Sequence, residues 1–288
     1  SAATADGRRC HPTGMTVDTL LATDLDGTLL RSDGTVSERT RRAISDLTAN
    51  PATEIVFVTG RPPMFLSGFA EMTGHRGTVI AANGALVLGL EDLEPDIIHA
   101  ISPATVTEVI SRVARATEGA EFRTTLAHPS RGFDRLISTP EDVSGEQHAE
   151  EVAARQAAGW SVAKMVALAD HTEHGSDSYL DLLARQLSSL VEITHSSRNS
   201  PLVEIGPLGV DKGTTLADFA RGLGLGPEQV YAVGDMPNDL PMLQWAGHPF
   251  AVENAHERVR SAEWGRLPGN DDDGVAVLIE QVLRDHHG

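Results

Sequence analysis

The chain has 288 residues, 41 of them acidic against 23 basic, a formal net charge of -18, and 40% hydrophobic residues with only 4% aromatic. That length fits about two domains, and a core built mostly from Ala, Val, Leu and Ile. So acidic a surface repels nucleic acid and anionic membrane, which are gripped by clustered Lys and Arg, and no run of about 18 apolar residues offers a membrane span. Cys10 is the only cysteine, which excludes an intrachain disulfide and a multi-cysteine zinc site; a cytoplasmic location is expected. Residues 1–14 lack the apolar centre of a signal peptide. They are expected to be a disordered leader or an expression remnant.

The apolar run Thr19–Thr23 reads as a first strand, ending at Asp24-Leu25-Asp26-Gly27-Thr28. Ser37 caps a helix predicted through Ala49, with Ile44 and Leu47 facing inward. Glu54–Val58 is a second, β-branched strand that ends at Thr59-Gly60-Arg61. Pro62-Pro63 opens a helix expected to reach Met72. Val79–Ala82 is a third strand, closed by the hairpin signal Asn83-Gly84. Strands alternating with helices predict an α/β fold with a doubly wound parallel sheet.

From about Leu86 to Asn199 the alternation changes. A helix opened by Ser102-Pro103 carries Val106, Val109, Ile110 and Val113 at helical spacing. Leu126–Gly159 is polar and gives no clear element; a strand Val162–Ala169, a helix Ser178–Leu190 and a strand Val191–His195 follow. This block reads as an inserted α+β domain. Leu202–Ile205 is expected to return the chain to the main sheet. A helix follows Lys212-Gly213, and strand Val230–Val233 delivers Gly234-Asp235-Met236-Pro237-Asn238-Asp239. A short helix starts at Asn238, and Pro249–Val252 is a last strand. Asp271-Asp272-Asp273-Gly274 either caps the C-terminal helix, the favoured reading, or binds a second cation.

Ligands of open parallel sheets bind outside the carboxyl ends of the strands, so the four polar clusters should meet in one crevice. A carboxylate there can attack a phosphoryl phosphorus, and a second can protonate the leaving alcohol and later deprotonate water. Thr59 offers a hydroxyl and Gly60 an unobstructed N–H to phosphate oxygens. Lys212 suits phosphate or the nucleophilic carboxylate, and Asp235 suits Mg²⁺. Each cluster alone is as readily a turn, a strand exit, a solvated lysine or a helix cap; the four in this order are not. A calcium loop starting at Asp24 fails, because Leu29 stands where the sharp-turn glycine belongs and Thr35 where the bidentate glutamate belongs.

Taken together, these motifs resemble the haloacid dehalogenase (HAD) superfamily phosphatases of the Cof-like group, which carry a C2-type (IIB) cap after the third strand. The resemblance runs from about Val17 to Asp285. Its smaller echoes are Ala82-Asn83-Gly84-Ala85, Val203-Glu204-Ile205, Val252-Glu253-Asn254-Ala255 and Asp273-Gly274-Val275. It implies a HAD-like Rossmannoid core at 15–85 and 200–288, a cap at 86–199, and hinges near Ala85 and Asn199–Pro201. It also implies that Asp24 is the nucleophile and a Mg²⁺ ligand, and that Asp26 is the acid/base and a ligand through its backbone carbonyl. Thr59, Gly60, Lys212 and Asn238 would bind phosphate, Asp235 the metal, and Asp239 would support Lys212 or the metal. Asn254 would lie near the site, while Glu253 stands where relatives usually have glycine. The cap residues His128, Arg131, Lys164 and His195 are candidate substrate contacts, weighed against ordinary surface groups.

The function implied is Mg²⁺-dependent hydrolysis of a small phosphorylated metabolite, foremost a sugar phosphate, through an aspartyl phosphate, by a monomer or dimer. Alternatives are pyridoxal phosphate, flavin mononucleotide or nucleotides as substrate, a phosphomutase, or a non-catalytic phosphate- or metal-sensing module.

Overall fold

Strand β1 (Thr19–Thr23) is buried along its whole length and is the axis of the larger of two sheets. The computed structural model describes residues 17–117, 119–139, 144–169, 175–197 and 200–287; the expected leader and Asn199 lie outside them. After β1 the chain turns at Gly27 and enters α1 (Glu38–Ala49), where the Ser37 hydroxyl accepts from the Thr40 amide, a cap worth about 1 kcal/mol. Ile44 and Leu47 bury the inner face of α1 beside β2 (Thr53–Val58).

No continuous helix runs from Pro62 to Met72. A single tight turn at Pro63–Phe65 and a short α2 (Phe69–Thr73) are separated by Gly68, whose left-handed φ of 81° breaks the helical path. Next come β3 (Thr78–Ala81), β4 (Leu86–Gly89) and β5 (Pro95–Ile98).

Helix α3 (Pro103–Ala116) is capped by Ser102 and buries Val106, Val109, Ile110 and Val113. Strand β6 (Glu121–His128) runs into the stretch without a clear sequence signal, which also holds β7 (Gly132–Ser138) and α4 (Gly145–Ala157). Then follow β8 (Ser161–Leu168), α5 (Ser176–Leu187), β9 (Val191–Thr194) and β10 (Leu202–Pro207). The chain continues through α6 (Lys212–Gly222), β11 (Val230–Gly234), α7 (Leu240–Trp245) and β12 (His248–Val252). It closes with α8 (Glu257–Arg260), β13 (Gly265–Leu267) and α9 (Gly274–His287).

The larger sheet has the order β13-β12-β11-β1-β2-β3-β4-β5 and is parallel up to β3. Strands β4 and β5 then add antiparallel, through the hairpin expected at Asn83-Gly84. The smaller sheet, β7-β6-β8-β10-β9, is antiparallel in its pairings. There are two apolar clusters, one around Leu20, Val56 and Val233 that also takes in Ala127 and Ala163 of the smaller sheet, the other around Val109, Phe122, Met165 and Tyr179.

Hydrogen bonding places two segments differently from expectation. Leu86–Gly89 belongs to the large sheet rather than the insertion, and Leu202–Ile205 pairs with β8 and β9 rather than returning to the core. The reason is that a short apolar strand fits either sheet, and only its pairing edge decides. The first crossing lies between His99, bonded to Ala85, and Ile101, bonded to Val162. The second lies between Pro207, the end of β10, and Lys212, the start of α6.

Candidate active site

Strand order reverses at β1, which has β2 on one side and β11 on the other. That is the position at which open α/β sheets bind ligands. The Asp24 amide donates to the Val233 carbonyl at 3.0 Å, so Asp24 stands beside the Gly234-Asp235 exit. Gly27 has a φ of 74°, and a Cβ there would lie 2.6 Å from Asp235 Oδ2. Only glycine lets the turn sit so close to that carboxylate. The Thr28 hydroxyl donates to Asp235 Oδ1 at 3.0 Å.

Lys212 is fully buried in the first turn of α6, where a cation opposes the helix dipole. Its Nζ lies 2.6 Å from Asp24 Oδ1 and 2.6 Å from Asp239 Oδ1. The other oxygen of Asp239 accepts from the Asp235 and Met236 amides, both at 2.9 Å. Asp239 is therefore spent on positioning. Burial works against the Lys212 ammonium, but Asp239 and Asp24 overcome it and raise its pKa above the ordinary lysine value. Burial also pushes the Asp24 carboxyl well above the usual range; Lys212 opposes this, while Asp239 and Asp235 add to it.

Oxygens of Asp24, Asp235 and Asp239 lie within 4.8 Å of one another, all three residues buried. One ammonium cannot compensate three carboxylates in an interior where unpaired charge is costly. A divalent cation held by oxygen ligands fits that deficit. Asp24 and Asp235 are the donors suited to it, since Asp239 is occupied.

A cavity of about 270 Å³ opens over this cluster, between the two sheets. Asp24, Asp26, Gly60 and Asn238 line it from the core. Asp26 is exposed and doubly bonded by Arg61, at 2.7 Å and 2.5 Å; these bonds raise the Arg61 pKa. Thr59 is fully buried, its hydroxyl accepting from the Arg61 amide at 3.1 Å. Asn254 braces the first loop from outside the cavity: it donates to the Gly27 carbonyl at 2.7 Å and accepts from the Asn270 amide at 3.0 Å. Asp271 and Asp273 bind Ser32 and Arg31 in the same loop, a role beyond the expected capping of α9.

A buried polar relay joins the two sheets. Lys164 of β8 donates to the Gly60 carbonyl at 2.6 Å and pairs with Glu204 of β10. Glu204 accepts from Asn83 at 2.9 Å, and Asn83 accepts from Asn238 at 3.1 Å. Burial pushes Glu204 up, but Lys164, Asn83 and Lys212 hold it below the usual range. Asn83 sits in a run of positive φ with Ala82 and Gly84. A Cβ on Gly84 would lie 2.3 Å from the Asp211 carbonyl, so the turn is pressed against the start of α6. Among the described residues the buried Asn238 Oδ1 has no hydrogen-bond partner.

Of the cap candidates, Lys164 lines the cavity, whereas His195 is buried and bonded to Asp177 at 3.0 Å, and His128 packs edge-on to Trp160. Arg61, Asn83 and Glu204 were not among the expected site residues. A charged residue inside the apolar strands Ser161–Leu168 and Leu202–Pro207 was the available signal for Lys164 and Glu204.

The haloacid dehalogenase-like hydrolase family pattern matches residues 21–279. The chain belongs to that family. It is 28% identical to phosphatase YwpJ of Bacillus subtilis, covering 92% of this chain and 99% of that protein. It is 36% identical over 92 residues to 5-amino-6-(5-phospho-D-ribitylamino)uracil phosphatase YwtE of B. subtilis, 32% of each chain. That alignment therefore spans about a third of YwtE's length. Among solved structures, a HAD subclass IIB sugar phosphatase superposes with a TM-score of 0.70 at 19% identity, covering 92% of this chain and 98% of that one. The HAD chain described here thus shares the α/β core-and-cap fold of the Cof-like, IIB group. Among the described residues no helix is long and apolar enough to cross a membrane.

Proposed function

We propose that the chain is a Mg²⁺-dependent phosphomonoester hydrolase acting on a small phosphorylated metabolite, foremost a sugar phosphate. The observation that carries this reading is Lys212, buried within 2.6 Å of both Asp24 and Asp239 beneath the cavity. In this reading Asp24 is the nucleophile. One of its carboxylate oxygens bonds to phosphorus, the bond from phosphorus to the ester oxygen breaks, and the leaving alkoxide takes a proton from Asp26. Water then attacks the aspartyl phosphate, gives its proton to Asp26, and inorganic phosphate leaves.

Asp24, Asp235 and the Asp26 carbonyl would hold the cation, which when bound favours the charged form of Asp24 and offsets charge on the phosphoryl group. Lys212 keeps Asp24 oriented and supplies a fixed positive charge. Gly60 and Asn238 face the cavity as phosphoryl donors, and Thr59 shapes the loop that carries Gly60. Asp26 must leave Arg61 to take up its proton, so substrate entry and the loss of that ion pair go together.

The relative YwtE is named for an ester on a ribityl chain, so polyol phosphates belong beside sugar phosphates on a test panel. Phosphate release with Mg²⁺ and with chelator, for wild type and Asp24→Asn, tests the reading. Metal-dependent release lost in the variant is expected. No release from any ester by folded protein would overturn it.

A further inference from the structure

The wall of the cavity contributed by the smaller sheet is basic, in a chain whose acidic residues outnumber its basic ones 41 to 23. Arg123 of β6, Arg135 of β7 and Lys164 of β8 all line it. Thr125 is the cross-strand partner of both Arg135 and Lys164, so these three form one row across the sheet. Arg123 lies two residues from Thr125 on the same strand and face.

The cations are not equivalent. Lys164 is neutralised by Glu204 inside the protein. Arg123 is ion-paired with Glu121 through Nε, at 2.5 Å, and among the described residues its two terminal nitrogens make no hydrogen bond. The Arg135 guanidinium lies over the Phe65 ring, 5.1 Å from its centroid, and has no carboxylate partner among the described residues. Phe65 comes from the core turn at Pro63–Phe65. The stack therefore holds the guanidinium at the seam of the two sheets. A planar fork held on an aromatic face is preorganised to grip a carboxylate or a phosphate with two parallel hydrogen bonds. Neutral sugar hydroxyls make no use of that charge.

We propose that Arg135, assisted by Arg123, forms an anion subsite on the cap wall, so that the preferred substrate carries a second anionic group on the alcohol it releases. That group is a carboxylate or a second phosphate. The inference rests on the phosphatase reading for the identity of the reacting group, and adds the charge of the rest of the molecule.

The test compares three probes with the full chain in excess Mg²⁺: a hexose monophosphate, the corresponding phosphorylated hexonic acid, and a hexose bisphosphate. Wild type should show a kcat/KM at least about tenfold higher for one of the two doubly anionic probes, the gain of one charge-assisted contact. The probe that gains tells carboxylate from phosphate. Arg135→Gln should lose about tenfold more on that probe than on the monophosphate, mostly through KM, and Arg123→Gln should lose less. Comparable turnover of all three by wild type, or equal losses on all three in Arg135→Gln, would overturn the subsite. Binding of the same probes to Asp24→Asn, followed by calorimetry, separates this from the chemistry. Wild type that releases no phosphate, with Asp24→Asn still preferring a doubly anionic probe, would remove the hydrolase and keep the subsite. Equal or absent binding of all three would remove the subsite.

Discussion

Replacing Lys164 by methionine keeps an unbranched side chain, one atom shorter, and removes its charge. Glu204, 6% exposed, would then sit buried with Asn83 as its nearest remaining donor, and the Gly60 carbonyl would lose its bond from the cap. Breaking a buried pair by deleting one partner costs about 3–5 kcal/mol, because the other charge is stranded. A domain of this size loses about 2–4 °C in Tm per kcal/mol, so Lys164→Met should melt roughly 10 °C below wild type. Removing the charge of Glu204 as well should restore most of that loss, since the neutral amide introduced by the double variant Lys164→Met/Glu204→Gln can still meet Asn83. Thermal melts and urea titrations of wild type, both single variants and the double variant give the coupling directly. The reasoning fails if Lys164→Met stays within about 1 kcal/mol of wild type, or if the double variant falls by the sum of the two single losses.

Gly27→Ala places a Cβ 2.6 Å from Asp235 Oδ2 at a φ of 74°; Mg²⁺ affinity measured by titration should fall about tenfold or more, and wild-type affinity would refute the close approach. His75 is buried, and burial lowers its pKa to about 4, below an unfolded value of about 6.5. Its contribution is complete above pH 6.5 and is lost as pH falls toward 4, because the unfolded chain binds the proton first. Urea titrations should show about 2 kcal/mol lost between pH 7 and pH 5 through this residue, and that part of the slope should vanish in His75→Phe.

Asp24, Asp235 and Lys212 were legible because each follows or precedes an apolar run whose end fixes its place at one rim of a parallel sheet. Ser37 and Ser102 were legible because capping is local chemistry. The termini of the insertion were not. Leu86–Gly89 and Leu202–Pro207 are apolar four- and six-residue runs, and nothing within either run specifies which sheet edge it joins. Strands β6 and β7 escaped notice because arginines, threonines and an aspartate interrupt their apolar residues. Arg123, Thr125 and Arg135 among them line the cavity, whereas Thr124 and Asp134 bond to His148 and Arg155 of α4. Nothing local to Thr59 signals that its hydroxyl accepts from the Arg61 amide, and Asp26 has no local sign of its pairing with Arg61.

The division of labour between the two sheets sets how their residues should combine. Asp24, Lys212, Asp235 and Asp239 stand on the large sheet and its flanking helices, whereas Arg123 and Arg135 stand on β6 and β7 of the smaller sheet. Substitutions at residues without shared partners add in free energy, and those in one network do not. Changes at Arg135 should therefore shift substrate preference without altering the effect of a change at Asp239. Lys164 is the exception. It lies on the same smaller sheet, yet it bonds to the Gly60 carbonyl and, through Glu204 and Asn83, reaches Asn238 on the core wall of the cavity. A variant of Lys164 should thus couple to both sets, which makes it one route by which cap position is felt at the core wall of the cavity.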